Sequence, residues 1–292
     1  MKARFWILSI IILLLAGCSL PDSSNPTSEP STSVLPLTLQ ELKNYTYLAP
    51  QYNRSAPLQD GKYEIGSGAD YFMAFLEPQV AFGDLNGDGV DDAAVLLGEN
   101  GGGSGVFVSL IAMINANGEP MQAGSAFIDD RALINNLSIN VGRIVLDAMI
   151  HGPNDPMVDP TKKVTETFHL AKNGLVLEQY VSYTPDSQVR SISINNPKNG
   201  DTVEGAIQVQ GEMPIGPFEN TLAFRIYDQS GNKIAEGSFM VNSDGTGGAA
   251  TFDAPIDISG LPKGIIITLQ LVDVSMADGS TLALDSVELM IK

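Results

Sequence analysis

At 292 residues the chain is long for one hydrophobic core and comfortable for two. Its 34 acidic against 16 basic residues leave a formal charge of −18, which excludes the basic footprint of a nucleic-acid binder and repels phosphate-rich polymers. The 29 glycines, 17 prolines and 43% apolar side chains predict many turns and short strands, hence a mainly β or α+β protein, while a single cysteine excludes a disulfide framework or a thiolate zinc cage.

The opening run, MKARFWILSIIILLLAGC, places basic Lys2 and Arg4 before an apolar core from Phe5 to Leu15, followed by the small residues Ala16 and Gly17. That is the layout of a signal peptide over residues 1–17, and it is too short to span a bilayer with polar flanks. Leu15-Ala16-Gly17-Cys18 resembles the lipobox of bacterial lipoproteins. The resemblance implies export, lipid transfer to the Cys18 thiol, cleavage before it, and a protein held at the cell envelope by acyl chains, facing the periplasm or the exterior. Cleavage removes two positive charges, leaving about −20, so lipid rather than a polybasic patch makes the membrane contact. Ser19 in place of Asp after the cysteine is compatible with an outer-membrane destination.

Residues 18–35 are rich in Ser, Thr and Pro with few apolar side chains, and read as a disordered tether. Thr38 and Glu41 have capping-box spacing and predict a short helix. Residues 36–182 form a first domain, α+β or mainly β, with strands expected at Lys62–Ile65, Tyr71–Leu76, Val80–Phe82, Ala93–Leu97, Val106–Ile114, Ala126–Ile128, Leu137–Ile139, Ile144–Ile150 and Lys163–Leu170. Ala93–Leu97 and Val106–Ile114 are apolar throughout, which fits strands covered on both faces or a buried helical turn. Residues 183–190, with Pro185, Asp186 and Ser187, read as a linker.

From 191 to 292 about seven short runs alternate apolar and polar residues, separated by turn signals such as PKNGD, DQSGN and SDGTGG. Number and spacing predict an immunoglobulin-like sandwich without the usual cysteine pair. This part resembles the immunoglobulin-like domain of bacterial spore germination proteins through Ile192, Ile194, Pro197 and Gly200, Val209 to Gly211, Tyr227, Asp228 and Gly231, and Ala277 to Gly279. Phe252 stands where that family often has tryptophan. The resemblance implies an adhesive or spacing module.

The strongest chemical motif is Asp84-Leu85-Asn86-Gly87-Asp88-Gly89-Val90-Asp91-Asp92. Alternate oxygen-bearing side chains at loop positions 1, 3 and 5, glycine at 6, a carbonyl at 7 and a carboxylate at 9 fit the first part of an EF-hand loop. Val95 occupies position 12, where an EF-hand has glutamate. FGDLNGDGVDDAAVLL instead resembles the FG-GAP calcium loop, in one copy. That resemblance implies structural Ca²⁺ held by Asp84, Asn86, Asp88, the Val90 carbonyl and Asp92.

Two weaker constellations remain. The run Glu99 to Gly105 places Ser104 in a glycine-rich turn that connects strands or faces a ligand. His151, with Asp155 and Asp159, sits in HGPNDP, a proline-fixed loop or a candidate acid–base pair, with His169 the only other histidine. No nucleophile elbow occurs, so a non-catalytic envelope lipoprotein touching an envelope polymer or protein is expected. Alternatives are a solute or glycan receptor using Ser104, His151 and Asp155, and an envelope hydrolase.

Overall fold

The computed structural model describes residues 34–243, 245 and 247–292. The expected signal peptide, Cys18 and the tether to residue 33 lie outside the described residues.

A single short helix opens the described chain: α1 (Leu39–Lys43), whose capping box is complete because the Thr38 hydroxyl accepts from the Glu41 N–H and the Glu41 carboxylate accepts from the Thr38 N–H. Strands β1 (Thr46–Ala49) and β2 (Arg54–Pro57) then form a hairpin that the sequence patterning did not predict, each strand being only four residues long. Leu42, Tyr47, Ala49 and Ala56 from this layer cover one face of a five-stranded antiparallel sheet.

That sheet is a meander in chain order: β3 (Lys62–Ile65), β4 (Phe72–Gly83), β5 (Asp92–Asn100), β6 (Phe107–Ala116) and β7 (Glu119–Asp130). The two strands expected at 71–76 and 80–82 are one, joined across a register shift between Leu76 and Val80. All nine residues of β5 are buried. Ala93, Val95 and Leu97 meet the helix and hairpin, while Ala94 and Leu96 meet the next layer, so continuous hydrophobicity here means a strand with both faces covered.

The next layer begins with β8 (Leu133–Asn140), β9 (Arg143–Ile150), β10 (Lys162–Ala171) and β11 (Gly174–Tyr183), again antiparallel neighbours. Residues 183–190 form a tight hairpin, in which the two-residue β12 (Val189–Arg190) returns along the end of β11 and the Thr184 hydroxyl accepts from the Gln188 N–H.

The remaining strands are β13 (Ser193–Asn196), β14 (Thr202–Val203), β15 (Ala206–Met213), β16 (Thr221–Asp228), β17 (Lys233–Met240), β18 (Asn242–Ser243), β19 (Ala250–Asp257), β20 (Ile266–Val274) and β21 (Thr281–Ile291). Six of these have eight or more residues, and with the four-residue β13 they make up the seven runs expected. One sheet runs β13-β15-β19-β18, and buried positions alternate strictly along β15 and β19. Gly211 on β15 admits no side chain, because a Cβ there would collide with the Ser193 carbonyl and the Phe252 ring.

The facing sheet does not stop at the boundary. Its order is β17-β16-β20-β21-β11-β10-β9-β8, ten strands with β12 and β14 at its margins. Gln179, Tyr180 and Val181 pair with Asp285, Leu284 and Ala283, joining the halves through three residue pairs. The five-stranded sheet packs on one face, with Val272 and Leu284 entering its core, and the four-stranded sheet packs on the other, against Leu271, Ala283 and Val287. Residues 34–292 accordingly form one compact unit. Among the described residues no helix is long and apolar enough to cross a membrane.

Candidate functional site

The acidic loop links β4 to β5, and its shape follows from its own hydrogen bonds. The Asp84 carboxylate accepts from the N–H groups of Gly89 (2.9 Å) and Gly87 (2.7 Å), which hold its pKa below the ordinary carboxylate range. Gly89 takes φ +83°, a conformation few other residues adopt, at the position where the chain reverses. Asn86 accepts from the Asp88 N–H and donates to its carboxylate, and Asp88 accepts from the Val90 N–H at 2.8 Å. Asp92 turns inward, fully buried, and accepts from the Leu85 N–H (2.9 Å) and the Asn115 N–H (2.8 Å). Burial raises its pKa against these bonds.

The donor chemistry suits a hard cation, but the arrangement is closed on itself. Among the described residues no group of three or more His, Cys, Asp or Glu side chains stands where it could share one metal ion. Asn115 is the residue that patterning missed. It ties Asp92 to β6, and its side-chain amide donates to the Leu35 carbonyl, pinning that segment beside the loop.

At the opposite end of the sandwich the structure brings the other candidates into one neighbourhood through Asp129, Asp130 and Arg131, none of which stood out in the sequence except as a charged run after an apolar strand. Arg131 donates to the Ser104 carbonyl (3.3 Å) and to the Asp130 carboxylate (2.6 Å). Asp129 receives both the His151 N–H (2.5 Å) and His151 Nδ1 (2.8 Å). Burial opposes protonation of His151, yet the Asp129 carboxylate outweighs it and the histidine pKa rises.

Asp155 does not join this pair through a hydrogen bond. It accepts from Gly152, from the Thr161 N–H and from the Thr161 hydroxyl, closing the loop 152–161, and its pKa falls for that reason. The Ser104 side chain is exposed and only its carbonyl is engaged. The glycine-rich turn is organised by Asn100, whose amide donates to the carbonyls of Gly103 and Gly105 and accepts from the Gly102 N–H. His151 Nε2 is buried without a hydrogen-bond partner. The imidazole braces the end of β7 through Asp129.

Glu166 on β10 reaches into the same inter-sheet core. Burial pushes its pKa up to about 7, with Lys162 and Asp129 the nearest charges, and its Oε2 has no partner. Glu99 on β5 is a second such group, raised to about 7 by burial while accepting from the Gln51 and Tyr52 N–H groups.

Two facing antiparallel sheets with an alternating core define the C-terminal part as an immunoglobulin-like β-sandwich module. Residues 191–280 match the Gmad2 family, the immunoglobulin-like domain of bacterial spore germination. That similarity covers β13 to β20 and the turn before β21, and none of β1 to β12. No curated protein matches the chain.

Proposed function

We propose that the protein is a non-catalytic lipoprotein of the cell envelope, fastened through Cys18, lifted from the membrane by the tether and displaying two β-sandwiches for contact with an envelope polymer or protein. The observation that carries this reading is Leu15-Ala16-Gly17-Cys18, placing the sole thiol of the chain directly after an apolar leader, followed by a Ser/Thr/Pro spacer. The immunoglobulin-like match at 191–280 supports the contact or spacing role. The shared ten-stranded sheet supports a single compact element over a loose pair of domains.

Calcium enters this reading as a stabiliser of the loop 84–92. Because the loop already satisfies its carboxylates with backbone N–H groups and lacks a twelfth-position ligand, affinity belongs at the weak, extracellular end, with Kd on the order of 1 mM. Mass spectrometry of the mature N-terminus is expected to find diacylglycerol on Cys18, and Cys18→Ala to release the protein from the membrane fraction. Unprocessed, unacylated protein in the cytosol would overturn the anchoring. Calorimetry with CaCl₂ tests the ion separately. Heat that vanishes in Asp84→Ala supports the calcium role, and no heat with wild-type protein removes the ion from the account.

A further inference from the structure

We propose that the cleft where β11 parts from β21 is a binding site for a neutral saccharide. The cleft follows from topology. After three residue pairs with Ala283–Asp285, the N-terminal half of β11 diverges from β21, whose backbone is taken over by the turn before β14: the Glu288 N–H donates to Asn199 Oδ1 and the Glu288 carbonyl accepts from the Gly200 N–H. The gap left in the sheet is about 370 Å³, at the small end of the range that ligand pockets span. Its mouth is fixed from across, since the Asn173 amide donates to the Gln229 carbonyl and ties the β10–β11 turn to the β16–β17 turn.

The walls set the chemistry of the occupant. Leu175, Leu177 and Tyr227 present apolar surface, and Gln229, Gln270 and Thr268 present neutral groups that both donate and accept. Among the described residues no hydrogen bond occupies those last three side chains. His169 Nε2 and Glu288 Oε1 stand 3.8 Å apart, beyond hydrogen-bond reach, so both face the cleft with capacity for a third polar group. His169 Nδ1, 3.4 Å from Glu178, is buried without a hydrogen-bond partner.

Apolar surface edged by planar amides and a carboxylate complements a pyranose ring, which has C–H faces and a rim of hydroxyls. Glu288 is a carboxylate of the wall, and among the described residues neither lysine nor arginine lines the cleft. Lys172 lies in the adjoining cavity, and Arg143, paired with His169 across β9 and β10, is held by Glu178 at 2.5 Å, so anionic ligands find no free arginine to pair with. The volume admits one or two sugar rings. No residue of the acidic loop lines the cleft, and its test does not involve acylation, so its failure leaves the anchoring and calcium readings untouched.

The test uses cellobiose and N,N′-diacetylchitobiose as neutral probes and digalacturonic acid as the anionic one, read by saturation-transfer NMR and calorimetry on the protein from residue 19 onward. Binding of at least one neutral disaccharide is expected with Kd of about 1 mM, weakened about tenfold in Tyr227→Ala and about fivefold in Gln270→Ala, and unchanged in Asp84→Ala. Gln229→Ala, in an exposed turn, gives a variant whose folding is not at risk, and unchanged melting temperatures qualify the others. No binding of either neutral sugar at about 20 mM, binding indifferent to all three cleft variants, or tighter binding of the acidic disaccharide would each overturn the proposal.

Discussion

The two sandwiches share a sheet but build their cores differently. In the C-terminal one, β15 and β19 alternate buried and exposed residues without exception, and the core is aliphatic with Phe239 and Phe252 packed at 5.8 Å. The N-terminal one stacks three layers, buries every residue of β5, and admits Asp92, Glu99, Asn100, Ser109, Asn115, Asp130 and Glu166 to its interior. Most of these groups accept backbone N–H groups at a loop, as Asp92 does, Glu166 sits with a raised pKa, and Ser109 accepts from the Gln51 side-chain amide. A two-layer sandwich needs one apolar face per strand, whereas a middle layer must end its strands inside the protein, where polar side chains satisfy the turning backbone.

The difference in core construction is tested most forcefully by cavity formation. Leu96→Ala in the N-terminal core and Leu269→Ala in the C-terminal core, both fully buried, are each expected to cost about 3 kcal/mol and to lower one common melting transition. Two separate transitions by calorimetry would show that three residue pairs between β11 and β21 do not couple the halves. Arg190→Ala acts on that seam: it leaves Asp273, whose side chain is 1% exposed and whose pKa burial already raises, without the guanidinium at 3.0 Å. A loss of about 3 kcal/mol is expected by denaturant unfolding, and Arg190→Ala, Asp273→Asn together should recover part of it.

Buried carboxyls occur in both halves. Glu99 and Glu166 titrate near 7 and Asp285 near 6 in the folded protein, all raised from the unfolded range by burial. Raised carboxyl pKa values favour the folded state fully below about pH 4, and that advantage is lost as pH climbs through 6 to 7, by an amount on the order of 2 kcal/mol for each group. The melting temperature is therefore expected to fall between about pH 5 and about pH 8, and Glu166→Gln to flatten the slope. An unchanged slope in that variant would assign the pH effect to general charge repulsion. The smallest effect is at α1, where Thr38→Ala removes one side of the capping box and is expected to cost about 1 kcal/mol without altering the C-terminal sandwich.

The C-terminal sandwich was readable because period-two alternation survives wherever one face meets solvent, and the six long strands and the four-residue β13 all fall on the runs marked by it. In the N-terminal half β5 and β6 declared themselves as apolar blocks, but β11 did not, because nearly every residue of Gly174–Tyr183 is half-buried and the shared position in the sheet blurs the pattern. The hairpin β1–β2 was hidden by strands too short to show a period. Of the candidate residues, Asp84, Asn86, Asp88 and Asp92 do form one loop, yet nothing in their spacing revealed that Asp92 would be spent on Leu85 and Asn115. Likewise Ser104 and His151 are related only through Asp129–Arg131, a contact made across sheets and silent in linear order.

The strand that closes the shared sheet, β21, lies ~100 residues after the strand it joins, β11, and closing so wide a loop carries a substantial entropic cost before any reward is felt. Until Ala283–Asp285 arrive, β11 has a bare hydrogen-bonding edge over Gln179–Val181, beyond the short cover of β12. A polypeptide emerging amino end first would thus stay incompletely knit until β21 is free, and for that interval it is vulnerable to edge-to-edge association with its neighbours.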